Sequence, residues 1–289
     1  MNEISVIDLY KKIAQELTGC FANEEIKSLQ RIIIEKKLKI AYHQIFLNPN
    51  NTVNSSDTKI INEIIEQLKS GRPIQYILGE IEFFGLTIKI TPDVLIPRPE
   101  TEELVDLIIK STNKKRLTIL DIGTGSGCIA IALAKNLPES NVYGIDVSEE
   151  ALSVAIQNAI SNGANIDFSQ VNFLNSNEKV DGGLFDLIVS NPPYVRYSET
   201  NLMKTNVLDY EPHLALFVND NNPLLFYKVI AKRANELLKL GGTVFCEINE
   251  AFGMATVAVF IDNNFENVKI HKDINGKDRF ISAVYGQKG

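Results

Sequence analysis

Cysteine and histidine are scarce in this chain, with three of each in 289 residues. Cys20, Cys128 and Cys246 are far apart and odd in number, which argues against a disulfide framework and gives no zinc-type spacing. Cys128 opens an apolar helix and reads as a small packing residue rather than a reactive thiolate. His43, His213 and His271 are isolated and form no ligand pair. An excess of positive charge is also missing. Lys and Arg number 29 against 36 Asp and Glu, a formal net charge of −7, which argues against a general nucleic-acid binder. The densest basic clusters, Lys36-Lys37 with Lys39 and Lys114-Lys115-Arg116, are short and read as solvated faces. No apolar run approaches the length of a bilayer span. The N-terminus, with Glu3, Asp8, Lys11 and Lys12 among its apolar residues, has no secretory or transit character. A cytoplasmic protein that engages no membrane is expected. Internal repeats and low-complexity tracts are absent as well.

What remains is enough to build a globular protein. An apolar fraction of 45 % fills a substantial core, and the length suits one large domain plus a small one. Residues 1–80 read as a helical domain. Ile61, Ile64, Ile65 and Leu68 fall at i, i+3, i+4 and i+7, and Val6, Leu9, Ile13 and Leu17 make a similar stripe. Ile32, Ile33 and Ile34 with Leu38 suggest a third helix, and 48–57 reads as a polar connection. The period then shortens: Phe84, Leu86, Ile88 and Ile90 alternate, so 81–98, bracketed by Pro92 and Pro97, reads as a strand or hairpin connector. Residues 99–289 form the larger domain. A helix begins at Pro99-Glu100-Thr101-Glu102, and from about 115 strands and helices alternate. Strands are expected near 117–120, 141–145, 166–171, 185–190, 243–248, 267–272 and 279–285. Helices are expected over 148–161, 223–239 and 250–263. Residues 195–221 have little periodicity. Alternation of this kind predicts an α/β fold, a mainly parallel sheet covered by helices on both faces, with ligands at the carboxyl ends of its strands.

Two loops stand at such ends. The first is Asp121-Ile122-Gly123-Thr124-Gly125-Ser126-Gly127, between a short strand and a small-residue helix, where glycines allow a tight turn and close approach of a ligand. A second strand ends in Asp146, about twenty residues on, where a carboxylate accepts from ribose hydroxyls. Cys128 breaks the dinucleotide pattern G-x-G-x-x-G, and no G-K-[ST] follows to make a phosphate-cradling loop. The remaining reading is a nucleoside ligand without phosphates, of which S-adenosylmethionine is the common one. The second loop is Asn191-Pro192-Pro193-Tyr194, after the apolar strand Phe185–Ser190. Prolines fix φ and donate no hydrogen bond, so the oxygens of Asn191 and Pro192 can point outward to accept from a planar NH2 group, with Tyr194 against its face. Taken alone, the same four residues also make an ordinary turn. Beside the glycine loop and Asp146 they point to methyl transfer onto nitrogen.

With these loops placed, the chain resembles the HemK/PrmC family, the peptide chain release factor glutamine methyltransferases. The likeness runs over most of the chain, through Gly71-Arg72-Pro73-Ile74-Gln75-Tyr76-Ile77-Leu78-Gly79, Leu95-Ile96-Pro97-Arg98-Pro99-Glu100-Thr101-Glu102, the Asp121–Gly127 loop, Val189-Ser190-Asn191-Pro192-Pro193-Tyr194 and Tyr210-Glu211-Pro212. The Asn-Pro-Pro-Tyr motif alone is shared with DNA adenine and some other amino methyltransferases; the Ile-Pro-Arg-Pro-Glu-Thr-Glu segment is much more specific. The resemblance implies a helical N-terminal domain that helps grip a protein substrate and a hairpin connector. It also implies a seven-stranded sheet of the S-adenosylmethionine-dependent methyltransferase type. The implied reaction is methylation of the glutamine side-chain amide in a Gly-Gly-Gln motif of release factors. By position, Gly123, Thr124, Gly125, Ser126 and Gly127 would line the methionine part of S-adenosylmethionine. Asp146 would hold the ribose, and Phe173 would stand beside the adenine. Asn191 would be the catalytic residue, touching cofactor and substrate, with Pro192, Pro193 and Tyr194 completing the glutamine site. Two positions depart from the family pattern: Asn172, where many relatives are acidic, and Asn249, where glycine is more usual. Neither is expected to touch the motifs that identify the reaction.

Other readings stand beside this one. A nucleic-acid adenine amino methyltransferase would use the same amine receptor and would extrude its base from a duplex; the net charge argues against it. A non-catalytic binding module would be expected to lose one of the two loops, and both are intact. Arg98 and Glu100 read first as an interdomain ion pair. Glu211 either caps a helix or borders a substrate channel.

Overall fold

The computed structural model describes residues 4–112 and 116–286; Lys114 and Lys115 of the second basic cluster lie outside the described residues. The chain divides into two units, Met1–Leu78 and Gly79–Gly289.

In the first unit, apolar stripes that cannot be buried by any helix alone are buried together. Helices Val6–Leu17, Asn23–Leu38 and Ser55–Lys69 are joined by the shorter Tyr42–Leu47 and Ile74–Leu78. Val6, Leu9, Ile13 and Leu17 are at most 1 % exposed and share a core with Ile33, Ile34, Ile45, Ile61, Ile64, Ile65 and Leu68. Burial of each such side chain contributes about 1.5–3 kcal/mol, which must offset an ordering cost of ~1–2 kcal/mol per residue. A lone stripe of four falls short over a twelve-residue helix, so the unit folds as a bundle. Ser5 and Asn54 cap two of the helices, accepting from the Asp8 and Asp57 backbone N–H groups. The expected polar connection at 48–57 is more structured than its composition suggests. Thr52–Val53 pairs antiparallel with Ile4–Ser5, and a helix already starts at Ser55.

The second unit opens with a hairpin, Glu80–Phe83 against Leu86–Lys89. Its two turn residues, Phe84 (φ 49°) and Gly85 (φ 73°), are both left-handed, as a two-residue hairpin of matching twist requires. By its contacts this hairpin groups with the larger unit. Asn158, fully buried, fastens it there. Its side chain bonds both Lys89 main-chain groups, at 2.8 and 2.9 Å, and also the Ser126 carbonyl at 2.9 Å.

The core of this unit is a seven-stranded sheet. Across it run Phe265–Lys272, Asp278–Tyr285, Leu238–Glu247, Phe185–Ser190, Thr118–Ile122, Asn141–Asp146 and Ile166–Gln170. All pairings are parallel except the two made by Asp278–Tyr285. The central strands are apolar on both faces, as a doubly covered parallel sheet demands. Leu120, Ile122, Ile188, Val244 and Cys246 pack with Tyr227, Ile230, Ala231, Ala234 and Phe260 of helices Leu225–Leu237 and Gly253–Asp262. Alternation turns Ile119 and Asp121 to the opposite face. Gly241-Gly242 lies within the strand Leu238–Glu247, which starts earlier than the expected 243–248. There the register shifts between Leu238 and Thr243, and the preceding helix ends at Leu237.

Candidate active site

Sheet register brings the two loops together. Ser190 is level with Ile122 on one side and Cys246 on the other, and Ile122 is level with Ile145. The next residues along these strands, Gly123, Asn191, Glu247 and Asp146, therefore stand along one carboxyl edge. The Ser190 hydroxyl fixes the central pair by donating to the Ile122 carbonyl at 2.8 Å.

The glycine loop is a backbone structure. Gly123, Gly125 and Gly127 have φ of 71°, 54° and 80°, left-handed values that cost a residue with a Cβ about 1–2 kcal/mol each. The Gly123 and Thr124 N–H groups both donate to the Ile145 carbonyl at 2.9 Å. Gly125 N–H donates to Asp146 Oδ2 at 2.9 Å, and Ser148 N–H to Asp146 Oδ1 at 3.0 Å. A Cβ on Gly123 or Gly125 would meet no heavy atom within 4 Å, whereas one on Gly127 would sit 3.1 Å from Ala155 Cβ. Open space at the first two and close helix packing at the third are what a ligand cradle needs. Thr124 and Ser126 are buried. The Thr124 hydroxyl is committed to Asp121 Oδ2 at 2.7 Å, so the loop offers a ligand main chain rather than side chain at these positions. Asp121 lies beneath. Burial pushes its carboxyl up to about 7, against the pull of the Thr124 bond, and its Oδ1 has no partner among the described residues.

Phe173 is 8 % exposed and belongs to the core, so little of its ring is left for a ligand. The Arg233 guanidinium lies over it, 4.2 Å from the ring centroid. Arg233 also donates to the carbonyls of Phe173 (2.7 Å), Asn175 (3.2 Å) and Glu178 (2.5 Å), which fixes the loop that follows Phe173. Asn172 Oδ1 accepts from Leu174 N–H within that loop.

The Asn191 loop is built from side chains. Asn191 Nδ2 donates to Thr101 Oγ1 at 3.2 Å, and Thr101 Oγ1 donates to Glu247 Oε2 at 3.0 Å. Tyr194 OH donates to Glu247 Oε1 at 2.8 Å. Among the described residues, neither Asn191 Oδ1 nor the Asn191 and Pro192 carbonyl oxygens accept a protein hydrogen bond. Glu247 is 1 % exposed. Burial pushes its carboxyl up, while the Tyr194 and Thr101 bonds and the Arg279 charge pull it down. Burial beside Glu247 also pushes the Tyr194 phenol well above its ordinary value.

Several expectations change. Arg98 pairs with Glu211, at 2.6 Å; both lie in the second unit, so the pair is not interdomain. Glu211 caps the helix Thr205–Tyr210 through its backbone N–H, which donates to the Val207 carbonyl at 3.1 Å. It is 4 % exposed, and its other oxygen accepts from Ile96 N–H at 3.2 Å. Asn249 does touch an identifying motif, donating to the Tyr194 carbonyl at 3.2 Å. Cys128 is buried, with its thiol pushed up to about 12 by burial, as a packing residue should be.

With this geometry in place, comparison with known proteins is decisive. The release factor glutamine methyltransferase of Flavobacterium psychrophilum is 46 % identical over 278 residues, covering 95 % of this chain and 97 % of its own. The chain belongs to the release factor glutamine methyltransferase family. The family member from Bacteroides thetaiotaomicron is 43 % identical, over 94 % of this chain and 97 % of its own. A profile described as methyltransferase domain matches residues 113–275, and one described as PrmC N-terminal domain matches residues 8–79. In fold, the chain is similar to a crystal structure of a methyltransferase from Pyrococcus furiosus, with a TM-score of 0.52 and 21 % identity. That match covers 81 % of this chain and 100 % of the other. Sequence reading placed the family's two loops but missed Thr101 and Glu247 as parts of the site. The signal for Thr101 lay in the Pro-Arg-Pro-Glu-Thr-Glu motif, where a threonine one turn into an apolar helix is poorly suited to a core unless hydrogen-bonded. For Glu247, the signal was a carboxylate ending an apolar strand.

Proposed function

We propose that this protein methylates the side-chain amide nitrogen of the glutamine in the Gly-Gly-Gln motif of peptide chain release factors, converting S-adenosylmethionine to S-adenosylhomocysteine. The observation that carries this reading is Asn191 Oδ1, which no described residue binds, on a partly buried side chain at the strand end beside the glycine loop. The open cradle at Gly123 and Gly125, with the Asp146 carboxylate folded onto it, suits the amino-acid and ribose parts of the cofactor. In this reading the main chain from Gly123 to Gly127 borders the methionine part, Asp146 takes the ribose, and Phe173 backs the adenine.

S-adenosylmethionine, when bound, supplies an electrophilic methyl group on a sulfonium sulfur. The protein must make a poor nucleophile react, because an amide lone pair is delocalised into its carbonyl. Asn191 Oδ1 and the Pro192 carbonyl accept from the two substrate N–H bonds, orienting the nitrogen and stabilising positive charge as it develops there. Pro193 holds the chain extended, and Tyr194, tied through its hydroxyl, sets an aromatic wall. The alkylated amide is acidic enough to release its proton without a dedicated base. The helical unit, residues 4–78, helps hold the release factor, and a release factor substrate places the reaction in the cytoplasm, with no membrane or nucleic acid as partner.

The test is mass spectrometry of a purified release factor after incubation with the protein and S-adenosylmethionine. One added methyl group on the Gly-Gly-Gln glutamine is expected. No gain there, with methyl transfer to adenine in DNA or RNA instead, overturns the assignment.

A further inference from the structure

We infer that Glu247 and Thr101 are positioning residues that set which end of the Asn191 side-chain amide faces the substrate. The inference deepens the reading above and rests on it.

An asparagine amide has a donor end and an acceptor end of nearly the same shape, so packing alone does not choose between them. Here the choice is made by hydrogen-bond polarity, passed along a chain of three groups. Glu247 as a carboxylate can only accept, and it takes the Tyr194 hydroxyl and the Thr101 hydroxyl on its two oxygens, at 2.8 and 3.0 Å. The single Thr101 proton is thereby used, and Thr101 Oγ1 is left as an acceptor only. Asn191 must then offer it Nδ2, which lies 3.2 Å away. Oδ1 is left as the end that no described residue binds. A flipped Asn191 would present NH2 to the substrate NH2, donor against donor, and the site would repel the group it has to hold. The relay is long-range in sequence, linking the helix Pro99–Ser111, the Asn191 loop and the end of the strand Leu238–Glu247. Neither Thr101, 2 % exposed, nor Glu247, 1 % exposed, contacts solvent to any useful extent, so neither serves as a surface charge.

Substitution at the far end of the relay distinguishes polarity from packing. In Glu247→Gln the shape is kept, but an NH2 can donate to Thr101 Oγ1. That frees the Thr101 proton to donate to Asn191 Oδ1, and the amide flips. Thr101→Val removes the relay, and Thr101→Ser keeps it. For Glu247→Gln and Thr101→Val we expect kcat on a release factor to fall roughly 10- to 100-fold, the scale for residues that orient a directly acting group. We expect KM for the release factor and affinity for S-adenosylhomocysteine to change little. Thr101→Ser should recover most of the wild-type kcat.

A pH profile supplies a readout that a structural role would not move. The groups facing Glu247 are Tyr194 from the loop, Glu100 from the helix Pro99–Ser111 and Arg279 from the adjacent strand. Tyr227 donates to its main-chain carbonyl, and Arg98 acts on Tyr194. Protonation of Glu247 makes it a donor and reverses the relay, so wild-type kcat should fall as pH drops through the raised range of this carboxyl. Glu247→Gln should lack that acid limb. Wild-type kcat in folded Glu247→Gln and Thr101→Val, or a Thr101→Ser variant as slow as Thr101→Val, overturns the inference. Should Glu247→Gln fail to fold, the Thr101 pair decides alone. These outcomes are distinct from failure of the proposed function, which would appear as a wild-type protein that adds no methyl group to the glutamine.

Discussion

The glycine loop and the Asn191 loop do neighbouring jobs on adjacent strands but are held in opposite ways. The glycine loop is shaped by its own backbone. Three left-handed glycines and one partner from the neighbouring strand, Asp146, 21 residues from Gly125, fix it, and its two polar side chains face the protein. The Asn191 loop has no such internal geometry beyond its prolines. Its polar groups are held by Thr101, Glu247 and Asn249, which are 90, 53 and 55 residues from the groups they bind. A cofactor site can be made of main chain because the main chain is always present. A substrate amide needs acceptors of defined orientation, and side-chain polarity has to be set from outside.

That difference also decides what could be read before any coordinates. Glycine spacing and the strand–loop–helix pattern state the first loop almost completely, since positive φ is written in residue type. The seven strands were read one by one from the residues, but their order and the one antiparallel strand were not, because non-local pairing leaves no local trace. Residues 195–221 were silent for the same reason. That segment is a run of short elements, Tyr197–Leu202, Thr205–Tyr210 and His213–Leu216, each too short for a period to show. It is anchored by single bonds such as Ile96 to Glu211, 115 residues apart, and by the stacked rings of Tyr197 and Phe217.

The largest break in the comparison should come from Asn191→Ala. It removes the one acceptor that the relay exists to orient, and roughly 2–4 kcal/mol of transition-state stabilisation should go with it. Single-turnover methylation measures this, and near-normal rates would sink the role given to Asn191. The fold and the glycine loop should be untouched, so binding of S-adenosylhomocysteine by calorimetry should change far less than the rate.

On the other side, the glycines should separate into two kinds. Gly127→Ala puts a Cβ 3.1 Å from Ala155 Cβ and 3.2 Å from Ile131 Cδ1 at a φ of 80°. Strain and overpacking together should cost about 2–3 kcal/mol of stability, visible in denaturant unfolding. Gly125→Ala meets no neighbour and should cost only about 1 kcal/mol in stability through its backbone strain. Its methyl group, however, projects into the open cradle, and affinity for S-adenosylhomocysteine should drop. If Gly125→Ala binds as tightly as wild type, the space beside that residue is not the cofactor site.

The finest test concerns Asn249, the departure from family pattern that proved to touch the receptor loop. Its side chain does two things at once. Oδ1 accepts from Ala251 N–H at 3.0 Å, capping the turn Glu250–Phe252, while Nδ2 reaches the Tyr194 carbonyl at 3.2 Å and Glu199 Oε2 at 3.3 Å. Alanine would remove both roles and could not tell them apart. Serine keeps a capping oxygen, since Ser and Asn cap about equally well, but is too short to reach Tyr194. Asn249→Ser should therefore unfold at nearly the wild-type denaturant concentration. Its methylation should slow by roughly two- to fivefold, the worth at ~0.5–1 kcal/mol of the bond to the Tyr194 carbonyl, the one of the two lost bonds that reaches the receptor loop. An unchanged rate would mean that the prolines alone hold the Tyr194 carbonyl. The Asn191 loop would then resemble the glycine loop more than its side-chain network suggests.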